Sequence, residues 1–179
     1  MKIPDDIDMF ATQRAASRVA ARAEIRDVRL FRASVELDRF PSTGSRLGWS
    51  LDTDVAVERE EGDDAFILRS KYLVRVVETG HGTAEPELVV DDSQEDSDAD
   101  ENQIVELSFE FAALFGLEMR QGDEPVDDSE LQAYAFSTGQ FALYPFAREY
   151  IYDVTGRLGL PPLTVGVLQL PVHPEPPSA

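Results

Sequence analysis

Apolar and polar residues alternate along four stretches of the chain, and this alternation predicts four β-strands. In "AFILRSKYLVRVV", residues 65–77, apolar and aromatic side chains fill most positions of one register, while Arg69, Lys71 and Arg75 occupy the other. The other three stretches are "VRLFRASVEL", "LGWSLDTDVAVE" and "IVELSFEFAALFGLE". Because successive side chains of a strand point to opposite faces, the pattern is typical of an antiparallel sheet with one apolar face and one wet face.

The first of these stretches departs from strict alternation. Leu30 and Phe31 are adjacent apolar residues, so the phase of the pattern changes between them. Within a segment rich in β-formers, such a change predicts a β-bulge or a strand that is partly covered on both faces.

A short helix is predicted before the first strand. Residues 8–22 are rich in strong helix formers and place Arg14, Arg18 and Arg22 at successive i, i+4 positions. We interpret this row of arginines as a solvated helix face that contacts the protein's own acidic surface. The alternative is a docking site for an acidic partner.

Further helices are predicted after the last strand. Ser129 and Gln132 have the spacing of a capping box, and Gly139 is suited to end that helix in a left-handed conformation. Pro145 fits the first turn of a second helix, and Gly156, Gly159 and Pro161 end it. The predicted fold class is therefore α+β: a four-stranded antiparallel sheet, C-terminal helices packed on one face and a short N-terminal helix.

Length and charge restrict the classes of function. The 179 residues fit one domain, residues 1–179. The chain has 16 Lys and Arg against 35 Asp and Glu, a formal net charge of −19. Such a surface repels phosphate backbones and anionic lipids, so basic partners are expected and nucleic acid is not. Because no signal-peptide core or membrane-spanning run is found, we expect a cytoplasmic protein without membrane insertion.

Two segments are predicted to lie outside the packed fold. Residues 79–103, between the third and fourth strands, hold nine acidic residues from Glu85 to Glu101 and no Lys or Arg. Like charges at this density repel one another, so we expect a flexible acidic loop. Residues 171–179 form a Pro-rich tail.

A calcium site is an alternative to a purely solubilising role for the acidic loop. Asp96, Asp98 and Asp100 have the spacing that opens an EF-hand loop. The sixth position is Glu101 and not glycine, and the twelfth is Leu107 and not glutamate. We therefore predict no metal site.

Motifs of catalysis are missing from the sequence. There is no Walker-type loop, no dinucleotide-binding glycine pattern, no H-E-x-x-H and no G-x-S-x-G, and there is no cysteine. The two histidines are His81, in the presumed loop, and His173, in the tail. Neither lies on an element able to hold catalytic geometry, so we predict a binding protein without catalytic residues or cofactor, not an enzyme.

Aromatic residues are more numerous than a thin core requires. They include Trp49, Phe109, Phe111, Phe115, Phe136, Phe141, Tyr144, Phe146, Tyr150 and Tyr152. One four-stranded sheet with one helical layer cannot bury them all. Surplus apolar area on a domain of this size is typical of a subunit interface or an extended binding groove.

The segment "LYPFAREYIYDVTGRLGLPPL", residues 143–163, resembles the signature of the SecB family of export chaperones. The matching signature positions are Pro145, Phe146, Ala147, Arg148, Glu149, Gly159, Pro161 and Pro162. "RVAARAEIRDVRL" and the long acidic loop look most like the SecB-like chaperones associated with toxin–antitoxin systems. A departure is the ending "GVLQLPVHPEPPSA", which stands where the family has an amphipathic C-terminal helix.

The resemblance implies an ATP-independent holdase, a homotetramer built as a dimer of dimers, which binds unfolded polypeptides. Its role would be protein export, with the SecA motor as a possible partner in translocation, or service to one antitoxin. The signature residues would then be structural. Client contact is assigned to Leu30, Phe31, Trp49, Leu51, Phe111 and Phe115. The alternative function is an acidic interaction protein, a nucleic-acid mimic or adaptor, that binds a folded basic partner.

Overall fold

The protein is described by a computed structural model that covers residues 9–60, 63–81, 102–118 and 122–168. Its elements, in chain order, are α1 (Met9–Ala20), β1 (Ala23–Leu37), β2 (Ser45–Glu58), β3 (Ala65–His81), β4 (Gln103–Leu117), α2 (Asp128–Tyr134), the π-helix π1 (Ala135–Gly139) and α3 (Gln140–Arg157). The α+β class and all four predicted strands are confirmed. β3 is longer than predicted, because it extends to His81.

The four strands form one sheet in the order β1-β4-β3-β2. β1 therefore pairs with the last strand, and β1 and β2 are the two edges. Alternation is preserved in β3, where Phe66, Leu68 and Tyr72 are buried and Lys71 is exposed. This is the burial expected of a sheet with one covered face.

Packing divides the described chain into two compact units. The first unit holds the residues up to Arg29, Val55–Ser70 and the residues from Phe111 onward. In its core the rings of Phe66 and Phe115 stack with centroids 5.0 Å apart. Tyr134 of α2 meets both rings edge-on, which packs the C-terminal helices on this face.

The second unit holds Leu30–Asp54 and the described part of Lys71–Glu110. On its apolar side the rings of Tyr72 and Phe109 stack with centroids 5.1 Å apart. On the polar side Arg75 lies 3.1 Å from Glu106 and 3.7 Å from Asp52. This unit thus has one apolar and one charged side, as the alternation predicts.

β1 carries extra residues relative to its partner strand. Glu118 N–H donates to Arg22 O at one end, and Asp38 N–H donates to Ile104 O at the other. Between these bonds β1 advances 16 residues while β4 advances 14. β1 therefore contains an irregularity of the kind predicted from its change of phase.

The predicted cap of α2 is wrong by two residues. The N-cap is Asp127, whose carboxylate accepts from Glu130 N–H at 2.9 Å, while Glu130 accepts from Asp127 N–H at 3.1 Å. Ser129 Oγ only donates to the Asp127 carboxylate, at 2.7 Å. Asp127 and Glu130 have the same capping-box spacing, and their negative charge suits the positive end of a helix.

The predicted helix break at Gly139 is also wrong. Gly139 has φ −63°, and the chain passes from α2 through π1 into α3 without stopping. The glycine is needed for close approach, since a Cβ there would lie 2.9 Å from Leu68 Cδ2 and 3.0 Å from Tyr134 Cε1. Because α3 begins at Gln140, Pro145 lies inside this helix and not in its first turn, which corrects that prediction.

The predicted end of α3 at Gly159 is confirmed. Gly159 has φ +77°, a conformation that favours glycine. Its N–H donates to Gly156 O, and Leu160 N–H donates to Thr155 O, both at 3.1 Å. These two bonds are the Schellman motif that closes a helix end.

Several predictions concern residues outside the described chain. The acidic loop is described only at its ends, so the calcium-like spacing at Asp96, Asp98 and Asp100 falls outside it. The tail, residues 171–179 with His173, also lies outside the described residues.

Candidate functional site

Large apolar side chains are exposed along the edge strand β1. Phe31 is 49% exposed, and the others on this strand are Ile25, Leu30, Val35 and Leu37. An edge strand with unpaired backbone groups and apolar side chains is a ready pairing surface for another chain. β1 is therefore the first candidate surface.

The client residues predicted on the strands lie on two separate edges. Leu30 and Phe31 are on β1, whereas Trp49 and Leu51 are half-buried on β2. With β4 and β3 between them, these edges are three strand spacings apart, roughly 14 Å at about 4.8 Å each. The four side chains therefore do not line one continuous groove within the sheet.

Phe115 and Phe111 are placed in and near the core. Phe115 is 1% exposed and stacks on Phe66. Phe111 is covered by α3, with ring centroids 6.1 Å from Phe146 and 6.2 Å from Tyr150. We call Phe111, Phe146 and Tyr150 the aromatic cluster. Its outer member Phe146 is exposed, and the i, i+4 spacing of Phe146 and Tyr150 is the signal by which the sequence could have revealed it.

The segment after α3 runs back along this helix. Leu163 N–H donates to Thr155 Oγ1 at 2.9 Å, and Tyr144 OH donates to Gly166 O at 2.8 Å. These two bonds hold the returning segment at both ends. Between them a surface cleft of about 280 Å³ opens, lined by Pro145, Arg148, Glu149, Tyr152, Leu163, Thr164 and Val165.

The cleft combines apolar walls with one group of each charge. Pro145, Tyr152 and Leu163 supply apolar surface, and Tyr152 is exposed. Arg148 and Glu149 both line the cleft, and among the described residues no ion pair joins them. Such a cleft suits an apolar side chain together with the backbone N–H and C=O groups of an extended peptide.

Arg18 of α1 and Arg22, two residues after the helix, contact the protein's own acidic residues, as the preferred interpretation predicted for the row of arginines. Arg18 lies 2.9 Å from Glu130 and 3.1 Å from Glu124. Arg22 donates to Glu124 O at 2.7 Å and lies 3.8 Å from Asp123. These contacts bind α1 to the segment that leads into α2.

The described residues hold no group of three or more His, Asp or Glu side chains that could bind a metal ion. None of the described helices is both long enough and apolar enough to cross a membrane.

The fold and these surfaces together define a SecB-like chaperone, and the chain belongs to that family. Its sequence is 42% identical over 173 residues to the SecB-like chaperone Rv1957 of Mycobacterium tuberculosis strain ATCC 25618 / H37Rv, covering 96% of this chain and 90% of the relative. It is 41% identical, with the same coverage, to the SecB-like chaperone MT2006 of strain CDC 1551 / Oshkosh. No family model matches the chain.

A solved structure agrees with this assignment. The Mycobacterium tuberculosis Rv1957 SecB-like chaperone, in complex with a ChAD peptide from the Rv1956 HigA1 antitoxin, superposes with a TM-score of 0.70. The two chains are 37% identical, and the match covers 88% of this chain and 99% of that one. The resemblance to chaperones associated with toxin–antitoxin systems is thereby confirmed.

Proposed function

We propose that the protein is an ATP-independent holdase that keeps an antitoxin in an unfolded, soluble state. The observation that carries the proposal is the row of exposed apolar side chains on β1 in a chain of net charge −19. The relative in the solved complex binds an antitoxin peptide, which supports an antitoxin as the client here. Cytoplasmic action, without catalysis or cofactor, is part of the same proposal.

Binding by these surfaces needs only burial of apolar area. Removing apolar surface from water contributes about 25 cal/mol per Å², and the effect is non-directional, so many sequences can bind. The acidic surface around the client keeps the loaded complex soluble. No nucleotide-driven step is required for either effect.

The client surface is proposed to consist of three parts. Leu30 and Phe31 form the first part, and Trp49 and Leu51 on the opposite edge form the second. The third is the cleft on α3, where Tyr152 provides an aromatic wall. Phe111 contributes through the aromatic cluster, whereas Phe115 is left out because it is buried in the core.

A homotetramer built as a dimer of dimers is proposed because two distinct apolar surfaces are exposed. One is the backbone edge of β1, which can pair with a second subunit while the side chains of Leu30 and Phe31 stay available to the client, and the other carries Phe136 of π1 and Phe141 of α3. A dimer of dimers needs two kinds of self-contact, which two such surfaces supply. Burial at both must offset the repulsion between subunits of charge −19.

The test is light scattering from an unfolded antitoxin or a chemically unfolded client, with and without the protein and without nucleotide. Suppression near one tetramer per client is expected. Phe31→Ser and Tyr152→Ser should each weaken it, whereas Phe40→Ser is the matched control, because Phe40 is exposed outside these surfaces. Failure to suppress aggregation of either client would refute the holdase proposal.

The same purified protein can be used to test two other functions, a role in export and an adaptor role. A role in export would add suppression with a preprotein client and binding to the SecA motor. The net charge of −19 favours, as a second candidate, an adaptor for a folded basic protein. That complex should dissociate as salt rises, whereas apolar client binding should tolerate salt.

A further inference from the structure

The helix α1, together with the two residues that follow it, is positively charged within a strongly acidic chain. Residues 9–22 include Arg14, Arg18 and Arg22 and no acidic residue, a local charge of +3. Since the whole chain carries −19, the remainder carries −22. Added salt should therefore destabilise the docking of α1, because it screens the attraction between α1 and the acidic remainder. It should stabilise the rest of the chain, because it screens the repulsion between like charges.

Charged contacts tie α1 to the start of α2 through Arg18 and through Arg22, two residues after the helix. Glu130 accepts at both carboxylate oxygens, from Arg18 Nη1 at 2.9 Å and from Asp127 N–H at 3.1 Å. The second contact of Arg18, to Glu124, and the contact of Arg22 to Asp123 are partly exposed and open to screening. These contacts join α1 to the start of α2.

Over residues 11–20, where burial is described, the apolar part of the attachment is small. Among residues 11–20 only Ala16 and Val19 are fully buried, where α1 packs on α2 and π1. α3, by comparison, buries Leu143, Tyr144, Ala147 and Ile151. An element held by few buried apolar contacts opens at lower free energy than the core helices do.

We propose that α1 is an electrostatically held cover over the α2–π1 surface, which rising ionic strength releases. Release uncovers the apolar surface on which Ala16 and Val19 pack, and, resting on the proposed holdase function, this surface adds to client binding. The contacts of Arg18 and Arg22 with Glu124 and Glu130 hold α1 in place, and these contacts break when α1 is released.

Hydrogen exchange of the full chain, followed by mass spectrometry between about 0.05 M and about 1 M NaCl, tests the release. Exchange of the α1 amides should rise about tenfold, the effect of losing two or three partly exposed ion pairs, while α3 amides should not speed up. The double variant Arg18→Gln/Arg22→Gln should show the fast exchange already at low salt. Arg157→Gln is the matched control, because it removes an exposed ion pair to Asp153 on α3.

Two results would overturn the proposal. One is α1 exchange that is equal at both salt concentrations in the wild-type chain. The other is fast exchange of the double variant without any gain in client capture at low salt, which would remove the link to binding. Failure of the holdase function itself is recognised separately, since no variant would then suppress aggregation while the exchange data would still report on α1.

Discussion

Gly139 provides a test of whether packing or helix propensity decides stability at the centre of the helical layer. Replacing a glycine by alanine inside a helix normally stabilises it by about 1 kcal/mol. At Gly139 the new Cβ would lie 2.9 Å from Leu68 Cδ2 and 3.0 Å from Tyr134 Cε1. Leu68 and Tyr134 are both buried, and Tyr134 is fixed between two rings, so neither can swing away freely.

The two effects have opposite sign and comparable size. Overpacking a core costs about 1–3 kcal/mol, so Gly139→Ala should lower the free energy of unfolding by about 1 kcal/mol net of the helix gain. Gly156→Ala is the matched control, because the nearest atom to its Cβ is Pro162 Cγ at 3.6 Å, an ordinary contact. That variant should be stabilised by up to about 1 kcal/mol.

Thermal unfolding followed by circular dichroism, at one fixed protein concentration, measures the difference between the two variants. About 2 kcal/mol between them corresponds to roughly 4–8 °C in Tm for a chain of this size. If Gly139→Ala is as stable as Gly156→Ala, the close approach to Leu68 and Tyr134 does not govern this position, and the packing argument fails.

Two further predictions concern the cap of α2 and the turn between β1 and β2. Asp127→Ala should lower the free energy of unfolding by about 1 kcal/mol, whereas Ser129→Ala should lower it clearly less. Equal losses for the two variants in urea unfolding would show that Asp127 is not the dominant cap of α2. Hydrogen bonds from Ser45 and Arg39, among others, lower the pKa of Glu78 from 4.5 to about 2. Because the pKa of Glu78 is lower in the folded state, its stabilising effect is present above pH 4.5 and is lost as pH falls towards 2. In Glu78→Gln the free energy of unfolding should therefore depend less on pH in that range, as measured by acid unfolding.

Alternation was sufficient to predict the strands but not their neighbours. In β3 the period of two identified Phe66 and Leu68 as buried and Lys71 as exposed, because the face of a side chain follows from its position in the strand. Alternation contains no information about which strands pair. The pairing of β1 with β4 is what separates Leu30 from Trp49, and only the structure shows it.

Predictions from the local sequence were wrong at Gly139 and Phe115, where packing against other elements decides the structure. Gly139 was interpreted through its freedom to adopt positive φ, but the position needs a missing Cβ beside Leu68. Phe115 is predicted to contact clients in a groove, yet stacking on Phe66 buries it. Conversely, Gly159 behaved as predicted, because a positive φ at a helix end is a requirement of the backbone itself.

The strand order has a consequence for folding during synthesis on the ribosome. β1 ends at Leu37 and its partner β4 is complete only at Leu117, 80 residues later. At about 5–20 residues per second, the apolar first strand waits roughly 4–16 s for its partner to be synthesised. β2 and β3, which are adjacent both in the chain and in the sheet, can pair during that interval. The nascent protein therefore passes through a stage in which its apolar first strand has been synthesised but has no partner strand to pair with.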